Sequence, residues 1–178
     1  FESAIDKLKE AGASVSEIFV SSVDEAMDLT GLLYSPEAYA TWKHKIEKTP
    51  DLMFAKILER FRSGANVLAS DFICAWDKLM DLRQQYHSAV KMYDAVLIPT
   101  SPIIPPELDR LMNDGDFYNS QNLLALRNTR IGNLMGGCSI TLPTDIPSCG
   151  LLIMGMPSQE ERLLRLAQAC ELVLSRNQ

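Results

Sequence analysis

Three short apolar runs, each closed by proline or glycine, limit what this chain can fold into. They are Tyr93-Asp94-Ala95-Val96-Leu97-Ile98-Pro99-Thr100, Cys138-Ser139-Ile140-Thr141-Leu142-Pro143 and Gly150-Leu151-Leu152-Ile153-Met154-Gly155. Each is too short for a helix of ordinary length and too apolar for a surface loop, so each reads as a buried strand. A fourth strand is expected at 15–20. It follows a helix over 1–11, whose stripe is Phe1, Ala4, Ile5 and Leu8 and whose end is marked by Gly12. The sequence from 23 to 92 reads as helical. Ser35 and Pro36 open a helix over 37–48, Pro50 separates it from one over 52–62, and Gly64 ends that helix. Ser70 caps a long helix with Phe72, Trp76, Leu79, Met80, Arg83, Tyr86 and Val90 on one stripe. Residues 101–118, rich in proline, read as a long loop, followed by a helix over 121–135 that stops at Gly136-Gly137. Ser158 caps a last helix over 160–175, with Leu163, Leu164, Ala167, Cys170 and Leu174 buried and Glu171 out of place among them. Strands alternating with helices give an α/β class with a helix-covered mixed sheet. The 178 residues suit a single domain, helix-rich over 23–92 and strand-containing over 93–178.

Composition removes several functions. Lys and Arg number 17 against 23 Asp and Glu, a net charge of −6 with no basic cluster, so nucleic acid is not an expected partner. No stretch is apolar for long enough to span a membrane, and no signal peptide is visible, so a soluble cytoplasmic protein is expected. Cys74, Cys138, Cys149 and Cys170 form no C-x-x-C, and His44 and His87 lie far from them in sequence. Neither a zinc site nor a disulfide framework is expected. No Walker loop, G-x-G-x-x-G or G-x-S-x-G occurs, and no cofactor is expected. Ser88-Ala89-Val90-Lys91 matches S-x-x-K without its companion motifs.

An ordered series of motifs goes further. Asp94-x-x-x-x-Pro99-Thr100-x-Pro102 comes first. Thr129-x-x-x-Asn133-x-x-Gly136-x-Cys138-x-x-x-x-Pro143 follows, and then Pro147-x-x-Gly150-Leu151-x-x-x-Gly155. With the opening helix, Phe61-Arg62-Ser63-Gly64 and the closing helix, the series resembles the C-terminal part of the amidase signature family. The resemblance implies part of a three-layer αβα fold. It also implies a parent enzyme that hydrolyses carboxamides of small-molecule amide substrates through a Ser–cis-Ser–Lys triad. The nucleophile of that family sits in a Gly- and Ser-rich stretch upstream of this region, and its Lys further upstream. The adjacent serines here, Ser21-Ser22, have no glycine around them and do not match it. The expectation is therefore a C-terminal part of an amidase, inactive alone, with no catalytic residue of its own. The alternative is a free-standing, non-catalytic binding module derived from an amidase. A homodimer is compatible with either.

The resemblance places Thr100, Leu126, Thr129, Asn133 and Cys138 in the wall of the substrate pocket. For Asn133 and Thr129 a purely structural role, bridging backbone groups or satisfying a turn, stays open. Cys138 stands where proline is common in the family. Leu126 stands where glutamine-using relatives carry an acidic residue, and an apolar side chain cannot pair a substrate ammonium. Arg127 next to it offers a cation to an anionic substrate.

Overall fold

In the computed structural model, residues 1–175 are described. They fall into two compact units, Phe1–Phe19 with the chain from His87 onward, and Val20–Tyr86. The α/β class holds.

The first unit is built on a three-stranded sheet. Its strands are β1 (Val96–Pro99), β2 (Cys138–Pro143) and β3 (Gly150–Gly155), in the order β1-β3-β2. Both outer strands run antiparallel to β3, so the three strands that this chain supplies form an antiparallel sheet. One face carries Leu97, Ile140, Leu142, Leu151 and Ile153 and packs on α1 (Glu2–Glu10) and α9 (Glu160–Leu174). Ala4, Ile5 and Leu8 of α1 and Leu163, Ala167 and Leu174 of α9 close that core. Leu164 and Glu171 point to solvent, which resolves the charged residue that seemed misplaced on the buried stripe. Gly12, at φ +103°, ends α1, and Ala13 N–H returns to Leu8 O at 3.0 Å. Lys7 of α1 pairs with Asp145 in the β2–β3 turn, and Arg162 of α9 pairs with Asp94 ahead of β1.

Four expectations about this unit need correction. Residues 15–20 form no strand. A strand-like sequence is not sufficient, because its backbone N–H and C=O groups need a partner strand, and β1, β2 and β3 are the only strands among the described residues. The loop expected at 101–118 contains α6 (Leu108–Asn113) and the start of α7 (Gly115–Ala125). Asn113-Asp114-Gly115 looks like turn chemistry, but the Asp114 carboxylate caps α7 by accepting from Phe117 N–H at 2.9 Å. The helix expected over 121–135 is two helices, α7 and α8 (Arg127–Met135), divided at Leu126. Gly136 at φ +69° stops α8 as the sequence suggested, with Gly137 N–H bonded to Gly132 O at 3.0 Å. At α9 the N-cap is Gln159 and no side chain caps it; Ser158 instead adopts φ +58°.

The second unit is helical: α2 (Ser21–Asp28), α3 (Thr30–Lys48), α4 (Ala55–Ser63) and most of α5 (Ala69–Val90). The helix expected to begin at Pro36 begins at Thr30 and carries Pro36 inside it. Pro36 has no N–H to return to the preceding turn. The chain at Gly64 passes against that same point, so a Cβ there would lie 2.1 Å from Ser35 O. Arg62 clamps Glu47 from α4 to α3 through two bonds, Nε to Oε1 at 3.0 Å and Nη2 to Oε2 at 2.7 Å. That pairing holds the Glu47 carboxyl below its usual value. On α5 the buried stripe is Ala75, Leu79, Leu82, Tyr86 and Val90. Met80, expected on it, is exposed; Trp76 lies half-buried, with Phe72 edge-on to it at 6.4 Å.

Candidate functional site

The face of the sheet opposite α1 and α9 carries a different chemistry. Strand alternation puts Val96, Ile98 and Thr100 on it from the β1 side, Ser139 and Thr141 from β2, and Leu152 and Met154 from β3. Its far end is polar. Thr100 N–H bonds Gly150 O at 2.9 Å, and Thr100 Oγ1 donates to Thr141 Oγ1 at 3.2 Å. Gly150 is required between them, since a Cβ would come within 2.6 Å of Thr100 Oγ1 and 2.8 Å of Thr141 Cγ2.

Helix α8 lies on this face through Gly132. A Cβ at Gly132 would stand 3.4 Å from Ser139 Oγ and 3.9 Å from Met154 Sδ, so the glycine permits close approach. Two ties fix the start of α8. Asn128 Nδ2 donates to Pro99 O at 2.7 Å, and Thr129 Oγ1 donates to Leu126 O at 3.2 Å. Leu126, at the α7–α8 break, is 47% exposed. Asn133 is exposed one turn beyond Thr129, and its carbonyl accepts from Gly136 N–H at 3.3 Å. Thr100, Leu126, Thr129 and Asn133 thus belong to one face and the helix laid over it.

Cys138 stands apart. It opens β2 on the face packed toward α1 and α9, and its Sγ donates to Met156 O at 3.3 Å. It is also paired with Gly155, five residues along β3 from the Gly150 that meets Thr100. At the rise of an antiparallel strand that is about 17 Å.

Asn128 is the member of this region that sequence reasoning missed. Its signal was available, an amide side chain immediately before Thr129 in the first turn of α8, but the motif series drew attention to Thr129 and Asn133 instead.

The region can bind and orient through hydroxyls, an amide and backbone groups. It assembles no nucleophile with a base. Ser88 and Lys91 are both exposed near the end of α5. Ser22 is 2% exposed, and its Oγ has no hydrogen-bond partner. His87 Nε2 is 3.0 Å from the carbonyl of Met135. Among the described residues, no group of His, Cys, Asp and Glu could hold a metal, and no helix is long and apolar enough to cross a membrane.

The Amidase family model matches residues 1–164. The chain belongs to the amidase family. Among curated relatives it is 28% identical to the 2-amino-5-chloromuconic acid deaminase of Comamonas testosteroni, matching 97% of this chain and 38% of that protein. It is likewise 28% identical to one subunit of the glutamyl-tRNA(Gln) amidotransferase of Desulforamulus reducens, over 96% of this chain and 40% of that protein. The solved structure of 6-aminohexanoate cyclic dimer hydrolase with its substrate superimposes with a TM-score of 0.80 at 20% identity, covering 98% of this chain and 40% of that one. The chain therefore has an amidase-type fold and spans about two fifths of the length of these relatives.

Proposed function

We propose that this chain is the C-terminal part of an amidohydrolase that cleaves the C–N bond of linear carboxamides. In this reading it supplies three strands, the outer helices and one wall of the acyl pocket, while the nucleophile and its lysine lie in a part of the protein outside these residues. The observation that carries the reading is the pairing of a family match across 164 residues with a reach of only about two fifths of each relative. Thr100, Leu126, Thr129 and Asn133 form the wall, and Asn128 holds α8 in place against the end of β1. Cys138 contributes by packing β2 against the opposite layer. Such residues act by positioning a substrate rather than by attacking it.

Leu126 sets the substrate class within the family. Its exposed apolar side chain offers nothing to a substrate ammonium, so the reading excludes a preference for glutamine, although relatives include amidotransferase subunits. No nucleic acid, membrane or cofactor is assigned.

The test is the complete reading frame. It should encode a Gly- and Ser-rich segment and a lysine ahead of Phe1, and its product should release ammonia from simple aliphatic or aromatic amides. A native protein with the mass of this chain alone would sink the reading, as would an upstream region lacking both features.

A further inference from the structure

From Phe117 to Thr144 the chain holds no Asp or Glu and two cations, Arg127 and Arg130, although its net charge is −6. This stretch supplies most of the candidate wall: the α7–α8 break, α8 itself and β2. The strand residues on the same face, from Val96 and Ile98 to Leu152 and Met154, are uncharged as well. Both arginines sit near the N-terminal end of α8, which has no acidic residue in its first turn and no side-chain cap. The unbonded N–H groups of a helix start favour an anion there, not a cation. Helix stability therefore does not account for arginine at these positions.

The two arginines are not equivalent. Arg130 N–H bonds to Leu126 O at 3.1 Å, so the helical repeat already runs from Leu126. Leu126, Thr129, Arg130 and Asn133 then fall at i, i+3, i+4 and i+7, one stripe along α8. Arg127 is turned about 100° away from Leu126, off that stripe, and it has an interaction of its own. Arg130 is half-buried, and among the described residues no carboxylate forms an ion pair with it. The candidate wall thus presents, one turn apart, the exposed apolar side chain of Leu126 and the cation of Arg130.

We propose that Arg130 is a specificity residue whose guanidinium receives a carboxylate on the acyl part of the substrate. The enzyme then prefers half-amides of dicarboxylic acids to neutral amides of the same length. The proposal deepens the reading above of an amidohydrolase and rests on it. A guanidinium presents paired N–H donors that match the two oxygens of a carboxylate. Leu126, one turn away, lies against the methylenes between carboxylate and amide and offers nothing to an ammonium. The substrate class is therefore a carboxylate without a charged amino group beside it. The carboxylate takes no part in bond breaking; it orients the acyl chain along α8.

Steady-state kinetics of the parent enzyme on length-matched pairs test this, each pair a half-amide and the neutral amide that ends in methyl instead of carboxylate. The half-amide should have the higher kcat/KM, by about thirtyfold, the usual weight of a hydrogen bond to a charged group. In Arg130→Gln that ratio should fall to about one, chiefly through the KM of the half-amide, and Arg130→Lys should recover part of it. An equal loss on both substrates makes Arg130 structural and overturns the proposal. A preference for neutral amides overturns it too, as does a half-amide preference that survives Arg130→Gln or disappears in Arg127→Gln instead. The two readings fail separately. An active amidase without the preference loses only the role of Arg130. In a parent that hydrolyses no amide, calorimetry with glutarate decides: binding weakened about thirtyfold in Arg130→Gln keeps the carboxylate site, and equal or absent binding removes it.

Discussion

Gly64 shows how much a single position can constrain. In the sequence it ends a helix and closes the run Phe61-Arg62-Ser63-Gly64, yet neither shows that a Cβ there would overlap the backbone at Ser35 O, Ser35 C and Pro36 N, all within 2.6 Å. Backbone cannot rotate away as a side-chain tip can. Gly64→Ala should therefore destabilise the second unit by about 3 kcal/mol, the upper range for overpacking, read as a lowered midpoint in thermal or urea unfolding. Gly31→Ala is the control, with open space around its Cβ and a helical setting. Asn128 is the second such residue. Its amide to Pro99 O at 2.7 Å is half-buried, and Asn128→Ala leaves that carbonyl without its partner. The expected cost is about 1–2 kcal/mol of stability. In the parent enzyme the same change should raise KM or lower kcat on amides by loosening α8, while Asn128→Asp, which replaces a donor with a charge, should be worse than Ala. An Asn128→Ala parent with unchanged stability and kinetics would remove Asn128 from the wall.

At the scale of elements, legibility followed where the partner of each element was encoded. The three apolar runs became strands at their expected places because β1, β2 and β3 pair with one another within this chain. Segment 15–20 has the same kind of sequence and failed to become a strand, since nothing among the described residues pairs with it. The start of α7 was hidden because Asp114 and Gly115 serve equally as turn residues and as N-cap and first helical residue. On α9, spacing found the buried stripe but could not choose between neighbouring leucines. Leu163 is in the core and Leu164 is 58% exposed. Leu163→Ala should cost about 3 kcal/mol and Leu164→Ala less than about 0.5 kcal/mol; equal shifts in unfolding midpoint would mean the helix is rotated. The clamp between α3 and α4 gives a pH dependence. The Arg62 bonds depress the Glu47 carboxyl below its ordinary 4.5. A depressed acid contributes stability above its unfolded value, and that contribution is lost as pH falls through the folded one. The difference in melting temperature between the protein and Glu47→Gln should accordingly be present at neutral pH and shrink as pH drops below 4.5.

For the whole molecule, linear spacing ordered the wall candidates along the chain but did not show which face of the sheet each one takes. The motif series found residues that share one face of the sheet, Thr100 at its edge and Thr129 and Asn133 on the helix above it, but linear spacing could not show that Cys138 turns to the other face. If the nucleophile lies outside these residues, as proposed, the expected outcome is that the chain by itself does not turn over an amide. Attack needs a nucleophile, a base and oxyanion donors held together, and these act as a unit; loss of the nucleophile alone costs on the order of a millionfold in kcat in a serine hydrolase. Each serine that might substitute is disqualified by its place. Ser22 is closed off inside α2, Ser139 lies against Gly132 on the sheet, and Ser88 is exposed on α5. The histidines are no better placed: His44 is exposed on α3, and His87 directs Nε2 at a backbone carbonyl rather than at a hydroxyl. Incubated with a panel of aliphatic and aromatic amides, the purified 178-residue chain should release no ammonia above the uncatalysed background. Addition of the upstream part of the parent as a separate polypeptide should restore turnover if the two parts reassemble. Ammonia release by this chain that survives repurification and disappears on exchanging Ser88, Ser139 or Ser22 for Ala would show that the nucleophile lies within these residues after all.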